Sequence, residues 1–280
     1  MMRELSGKTV FITGGDGGIG GGIARAFAER GARIVLADID LAFAREEAAR
    51  LPADTPVEVA ALDVRSLESW ASACDAARAR FGAIDVLCNN AGISSGFKPL
   101  IEIGPDEFER LMAINVTGVY NGIHTVAPEM IARGSGHIVN TSSMNGLVPF
   151  GSFAAYSASK FAVLGLSDAL REELAPHGVG VSTLFPGLTR SRMAESDVGG
   201  PAGGDPERVA ALRARMMDPL WLGRAVVRAV EADESYIVTH PEYRPGLEAR
   251  HQRILAAFGE PAQPNYSTGA AAPRVEGVRF

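Results

Sequence analysis

A phenol and an ammonium stand one helical turn apart in Tyr156-Ser-Ala-Ser-Lys160, and Ser143 precedes the tyrosine by thirteen residues. On a helix, positions i and i+4 share a face, with Cβ atoms about 5–6 Å apart. A free tyrosine has a pKa of about 10 and is a poor base at neutral pH. A neighbouring ammonium favours the phenolate, as would the positive ring of an oxidised nicotinamide. The expectation is that these two charges together bring the pKa of Tyr156 near working pH, where general base catalysis is most effective. Ser143 would hydrogen-bond the substrate oxygen and hold its carbon for hydride transfer. Each feature alone is ordinary, since Tyr-x-x-x-Lys is common on helices and Thr141-Ser-Ser143 is common turn chemistry.

A second motif makes the combination informative. Thr13-Gly-Gly-Asp-Gly-Gly-Ile-Gly20 joins an apolar run to a helical pattern starting near Gly18. Glycines there let the backbone approach a pyrophosphate, while the helix N-terminus presents free N–H groups to it. Asp38 ends the next apolar run, twenty residues after Gly18, the spacing at which an acid reaches the adenine ribose hydroxyls. An extra phosphate on that ribose would meet a like charge. Asp16 adds a second negative charge inside the turn, and no Arg or Lys occupies it. NAD is therefore expected over NADP. Together the two motifs equip a chain for hydride and proton transfer at a carbinol carbon.

The elements that must position these groups alternate along the chain. Thr9–Thr13, Arg33–Ala37, Val57–Leu62, Ile84–Cys88, His137–Thr141 and Val179–Leu184 read as buried strands. Ile19–Arg30, Leu41–Leu51, Ser66–Phe81, Pro105–Arg133 and Ala155–Pro176 read as helices. The pattern predicts an α/β fold: a doubly wound, Rossmann-type parallel sheet of about seven strands with helices on both faces. Residues 1–258 are expected to form a single NAD-binding catalytic domain, and 259–280 an extended or disordered tail. Residues 189–218 carry Gly199-Gly-Pro-Ala-Gly-Gly204 flanked by Met193, Met216 and Met217. A glycine-hinged excursion of this kind is expected to cover the site.

Bulk properties narrow the classes. The 280 residues are 46% hydrophobic and 21% charged, an ordinary globular composition. The net charge of −6 argues against nucleic acid. No apolar run approaches the ~18 residues that span a bilayer, and the polar start does not read as a signal peptide. Cys74 and Cys88 are expected as buried, reduced thiols, which suits the cytoplasm. No metal site is expected.

The same residues resemble the short-chain dehydrogenase/reductase family, in its smaller single-domain branch, over about residues Lys8 to Thr239. The family's glycine motif falls on Thr13, Gly14, Gly18, Ile19 and Gly20. Its adenine-side aspartate falls on Asp63, followed by Val64, and its Asn-Asn-Ala-Gly signature on Asn89, Asn90, Ala91 and Gly92. Its helical asparagine is Asn115, which by likeness kinks its helix and holds a water that relays protons toward Lys160. The resemblance implies Ser143, Tyr156, Lys160 and Asn115 as the catalytic set. It implies cofactor contacts at Pro186, Gly187 and Thr189, and Ser191 stands where the family has a later threonine. Met144, Phe150, Phe153, Met193, Met217 and Trp221 lie where family members build a pocket, suggesting a hydrophobic or aromatic secondary alcohol or its ketone. Ser235–Leu247 is faintly similar to bacterial dehydrogenases that oxidise benzylic alcohols of lignin-derived aryl ethers. Family likeness also implies a homodimer or homotetramer, paired through 105–133 and 155–176. Two other readings share the fold. An epimerase or dehydratase of an extended branch would need an added substrate domain. A silent nucleotide sensor would be expected to lose the tyrosine, lysine or serine.

Overall fold

The computed structural model describes residues 4–15, 18–199 and 206–259. Seven strands form one all-parallel sheet: β1 (Thr9–Thr13), β2 (Arg33–Asp38), β3 (Val57–Ala61), β4 (Val86–Asn89), β5 (Gly136–Thr141), β6 (Val179–Phe185) and β7 (Tyr236–Val238). Their spatial order is β3-β2-β1-β4-β5-β6-β7. The order reverses direction between β1 and β4, the switch point at which such sheets open a ligand crevice at their carboxyl ends.

Alternation along each strand divides the core into two layers, because successive side chains point to opposite faces. Val10 and Ile12 of β1, with Ile34 and Leu36 of β2, pack against α1 (Gly18–Ala28) and α9 (Pro219–Ala232). Phe11, Val35 and Leu87 face the other way. They meet α3 (Leu67–Phe81), α5 (Gly118–Arg133) and α6 (Ala154–Leu174). Helix α2 (Leu41–Ala48) follows β2, with Asp40 capping it by accepting from the N–H groups of Ala42 and Phe43. Cys74 and Cys88 are buried and unpaired.

The stretch expected as one helix over 105–133 is divided. Helix α4 (Pro105–Met112) runs into a π-helical turn at Ala113–Thr117, and α5 resumes at Gly118. A π-turn inserts one extra residue into the helical ladder and re-aims the side chains within it. Asn115 lies inside this turn and is fully buried.

After β6 the chain makes its excursion through α7 (Arg192–Gly199) and α8 (Pro206–Ala214) before α9. Its two ends are pinned. Thr189 and Met217 form an isolated parallel bridge, with Arg190 N donating to Met217 O (3.0 Å) and Met217 N to Leu188 O (2.9 Å). The expected glycine run over 200–204, the Asp16 side chain and the tail over 260–280 lie outside the described residues. The chain divides into two compact units, Met1–His240 and Pro241–Phe280. The second carries α10 (Arg244–Leu255). Among the described residues no helix is long and apolar enough to cross a membrane, and no cluster of His, Cys, Asp or Glu could hold a metal ion.

Trp70 anchors the α3 layer. Its ring stacks on Phe11 with centroids 5.7 Å apart, and its indole N–H donates to Val64 O at 3.1 Å. Trp70→Ala should remove a fully buried ring and one of the two hydrogen bonds that carbonyl accepts, the other coming from Asn121 Nδ2. We expect a loss of about 3–5 kcal/mol in urea unfolding of the purified protein. A loss below about 1 kcal/mol would show that the layer closes over the gap.

Candidate active site

All the residues singled out for chemistry in the first unit sit at or beyond the carboxyl ends of the strands. Thr13 and Gly14 end β1, Asp38 ends β2, and Asn90–Gly92 follow β4. Ser143 follows β5, and Pro186–Gly187 follow β6. Parallel strands make this a single edge.

A hydrogen-bonded knot fixes the cofactor side of that edge. Thr13 Oγ1 accepts from the backbone N–H groups of Asn90 (2.9 Å) and Ala91 (3.0 Å). Asn90 Nδ2 donates back to Thr13 O (3.1 Å) and Gly14 O (3.3 Å). The turn tolerates no side chains at two points. A Cβ on Gly20 would overlap the carbonyl oxygen of Gly14, and one on Gly18, whose φ is +55°, would lie 2.7 Å from Ser191 Cβ. The bare backbone and the start of α1, with Ile19 in its first turn, thus form a cradle of the kind that admits a pyrophosphate. Asp38 is only 8% exposed. Burial pushes its pKa up, offset in part by the hydrogen bond it accepts from Asp40 N (2.9 Å).

Asp63 stands differently from expectation. Its carboxylate is gripped by Arg65, with Nη2 at 2.6 Å from Oδ2 and Nε at 2.9 Å from Oδ1, and the hydrogen bond from Arg65 holds its pKa down. Val64 is buried and accepts from Trp70 and from Asn121 Nδ2 (2.9 Å). Ser191 spends its hydroxyl as a helix cap, accepting from Ala194 N at 3.1 Å. Thr189 is 2% exposed and donates from Oγ1 to Gly187 O (3.2 Å).

The expected catalytic residues come together. Ser143 acts on the Tyr156 hydroxyl in the direction that favours its ionised form. Lys160 Nζ lies 5.5 Å from the Tyr156 ring centroid and donates to Thr141 O at 3.0 Å. Gly92 sits between Asn115 and Lys160, and a Cβ there would lie 3.2 Å from Asn115 Oδ1 and 3.4 Å from Lys160 Nζ. The Asn115 side chain is fully engaged. Its Oδ1 accepts from Ile93 N (2.8 Å), and its Nδ2 donates to Ile93 O (2.9 Å) and Ser159 Oγ (3.0 Å). Ser159 lies between Tyr156 and Lys160 on α6, so the π-turn braces the catalytic helix directly.

Lys160 by itself does not bring the tyrosine pKa down. Burial pushes Tyr156 up to about 12, and Ser143 only partly opposes it. Lys160 is pushed down to about 8 by the same loss of water. The ammonium lies against the ring and Thr141 O, and desolvation outweighs its pull on the phenol.

The expected pocket residues divide. Phe153 is nearly buried and packs edge-on to Tyr156, with centroids 6.1 Å apart. Met144 is buried in the 3-10 turn after Ser143, Phe150 is 46% exposed, and Met193 is half-buried on α7. Met217 instead packs with the α1–α9 layer of the core. Trp221 stands 63% exposed on α9 beneath the Arg224 guanidinium. The structure brings the Phe153 ring to Tyr156 and pairs Met217 with Thr189. It adds Phe97, edge-on to Phe153 at 4.4 Å and 66% exposed. Asp197 on α7 is half-buried, and loss of water pushes its pKa up. An exposed aromatic right after the Asn-Asn-Ala-Gly segment was the available signal for Phe97.

His240, directly after β7, was also missed. It is 6% exposed, and its Nδ1 accepts from Gly187 N at 3.0 Å while lying 2.8 Å from Thr239 Oγ1. The turn it holds presents Pro186 O to Met144 N (2.9 Å) and to Ser143 Oγ (3.5 Å).

The comparisons agree with this geometry. The short chain dehydrogenase family model matches residues 8–199. The chain is 34% identical over 267 residues to the C alpha-dehydrogenase of Sphingobium sp., covering 91% of this chain and 87% of that protein. A putative short-chain dehydrogenase from Novosphingobium aromaticivorans superposes with a TM-score of 0.83 at 33% identity, covering 94% of this chain and 92% of that one. A short chain dehydrogenase/reductase from Burkholderia phymatum, solved in complex with NAD, superposes with a TM-score of 0.81 at 29% identity over 93% of this chain and 98% of that one. The chain belongs to the short-chain dehydrogenase/reductase family and is an oxidoreductase of that family. The likeness to bacterial dehydrogenases first raised by Ser235–Leu247 extends, in the Sphingobium relative, across most of the chain.

His240→Phe should fill the imidazole's place but leave the Gly187 N–H without its acceptor, at about 1–3 kcal/mol. Asn can present an acceptor near the Nδ1 position. We expect His240→Asn to recover at least half the loss in a denaturant series. Equal stability of the two variants would show that the hydrogen bond contributes nothing.

Proposed function

We propose that this protein transfers a hydride between NAD and a hydrophobic or aromatic secondary alcohol or its ketone, with Tyr156 as general base in oxidation and general acid in reduction. The observation that carries the reading is the grouping of Tyr156, Ser143 and Lys160 at the sheet edge beside a glycine cradle with no room for a Cβ. NAD would be held by the Gly14–Gly20 turn, by Asp38 and Asp63–Val64 at its adenosine end, and by Asn90–Gly92, Pro186–Gly187, Thr189, Ser191 and Lys160 toward its nicotinamide. Arg65 already takes part of the Asp63 carboxylate, so Asp63 would serve through its remaining acceptor capacity, and Asp16 is kept in this reading for its charge alone. Bound there, the cofactor supplies the hydride acceptor or donor.

The chain's own residues do the proton work. Ser143 holds the carbinol oxygen, and Tyr156 takes its proton. Lys160 stands behind the phenol, and Asn115 holds the helix that carries both. Met144, Phe150, Phe153, Met193 and Phe97 offer an apolar lining that suits an aromatic or aliphatic ring. The C alpha-dehydrogenase likeness supports the same class. We place the catalytic unit within 1–258, with 189–218 as its cover. The reading includes a cytoplasmic homodimer or homotetramer paired through α4–α5 and α6.

Tyr156→Phe should lower kcat by roughly 10²–10⁴-fold while Kd for NADH, read by fluorescence, changes little. Turnover near that of the unmodified protein would remove Tyr156 from the mechanism. The pH dependence follows from the raised tyrosine. With Tyr156 near 12 in the protein by itself, the phenolate fraction grows with pH across the neutral range. kcat/KM for alcohol oxidation should therefore rise with pH, while ketone reduction, which uses the protonated phenol, should not. An oxidation profile falling through neutral pH would contradict the assignment.

The cofactor preference has its own test. Asp38→Ala should narrow the ratio of kcat/KM for NAD over NADP by at least about tenfold, one like charge being removed from the ribose site. A ratio unchanged in the variant, or near unity in the unmodified protein, would move the selectivity elsewhere.

A further inference from the structure

One peptide group beside Ser143 is held from both sides. It joins Pro186 to Gly187, directly after β6. Its carbonyl, Pro186 O, accepts from Met144 N at 2.9 Å and from Ser143 Oγ at 3.5 Å. Its N–H, on Gly187, donates to His240 Nδ1 at 3.0 Å. The bond is trans, and a trans peptide is planar with C=O and N–H pointing opposite ways. A tilt of the plane therefore moves both sets of contacts at once. The imidazole after β7 and the segment after β5 are joined through one rigid unit.

Each side of that unit has its own constraint. Proline brings no N–H, so the Gly187 N–H is the donor by which the turn is gripped. Gly187 also lies flat on the imidazole, since a Cβ there would stand 2.5 Å from His240 Cγ. Thr239 Oγ1 lies 2.8 Å from the same His240 nitrogen and donates to Phe185 O at 3.3 Å, which ties the end of β7 back to β6. On the other side, Ser143 Oγ accepts from Asn145 N at 3.1 Å. Its single hydroxyl proton is directed at Pro186 O across a contact at the outer limit of hydrogen bonding. A proton held so loosely is readily given to a substrate oxygen, and the position of Pro186 O sets where the hydroxyl starts.

We propose that His240 is a positioning residue for hydride transfer, setting Ser143 through the Pro186–Gly187 peptide. The proposal rests on the dehydrogenase reading above, in which Ser143 holds the carbinol oxygen. His240 touches neither substrate nor cofactor in this account. Its whole effect on rate passes through one hydroxyl.

The test is a double-mutant cycle on the full chain, crossing His240→Phe with Ser143→Ala, at a temperature where circular dichroism shows every variant folded. The substrate is the best-used secondary alcohol of a panel headed by 1-phenylethanol. Alone, His240→Phe should lower kcat by about tenfold or more and leave KM for the alcohol within about threefold. In the Ser143→Ala background the same change should cost less than about twofold, because a residue acting through another has no effect once that one is gone. His240→Asn, which offers the Gly187 N–H an acceptor again, should return most of the lost rate. An equal cost of His240→Phe in both backgrounds, a change confined to KM, or no rescue by asparagine would each overturn the proposal. If His240→Phe does not fold, Thr239→Val, which strips the hydroxyl beside Nδ1, takes its place in the cycle with the same coupling required.

Calorimetric binding of acetophenone to the NADH complex separates this from the parent reading. Binding that weakens with His240→Phe only when Ser143 is present, without turnover of any alcohol, would leave the coupling standing and sink the dehydrogenase assignment. Turnover with additive effects would do the reverse. Neither binding nor turnover would remove both.

Discussion

Tyr156 and Lys160 lose water in the same crevice, and the loss moves both toward their neutral forms. A phenol raised from 10 to about 12 has its ionised form disfavoured by roughly 3 kcal/mol more than in water. Lys160, near 8, keeps a partial charge at neutral pH but directs it at Thr141 O and the ring face. Only the Ser143 hydroxyl favours phenolate locally. The base form of Tyr156 therefore depends on what else enters the crevice. Added positive charge favours it, and the negative charge of Asp197 opposes it. The site is arranged as a protonated phenol awaiting a bound partner.

That arrangement needs a rigid support, because a shift of about 1 Å in a catalytic group can cost a hundredfold in rate. Helix α6 is held at three points across the catalytic turn. Ser142 Oγ donates to Lys160 O at 2.8 Å, Lys160 Nζ donates to Thr141 O, and Asn115 donates to Ser159. The third hold exists because the ladder between α4 and α5 is broken by the π-turn. A regular helix would set Asn115 at a different angle and separate it from Ile93. The break exchanges ideal backbone geometry for a buried amide with all its hydrogen bonds made.

The sheet, its faces and the cofactor edge were legible in the sequence because they are set by short-range patterns. Apolar runs such as Thr9–Thr13 and Val179–Leu184 are long enough to mark buried strands, and the strands observed over 9–13 and 179–185 follow them closely. Tyr156, Lys160 and Ser143 were legible because their spacing relates one helix to one strand end. What failed involved partners brought in by the fold. Burial, which reverses the tyrosine shift, is a tertiary quantity. Arg65 is two residues from Asp63 and could have been weighed, but its grip is a choice of rotamer. The division at Ala113–Thr117 left no breaker in the local pattern, since Ala-Ile-Asn-Val-Thr is compatible with an unbroken helix apart from its β-branched residues; the kink at Asn115 came from family likeness alone.

The substrate side was the least legible part, for a physical reason. Met217 and Met144 carry the same side chain, yet Met144 is buried next to Ser143 while Met217 packs partly buried against the α1–α9 layer. Apolarity cannot distinguish a pocket wall from a core, because both exclude water. The closed neck of the excursion explains how the two functions coexist. The Thr189–Met217 bridge and the Arg190–Asp218 ion pair (2.8 Å) fix both ends of the segment beside the cofactor edge. With the ends held, residues between them can change without moving Thr189 or the Pro186–Gly187 turn. Helix α7 can then vary while the Tyr156, Ser143 and Lys160 grouping stays anchored at the sheet edge. The variable segment and the anchored edge thus lie on different elements, and a reading by local pattern reaches only the second.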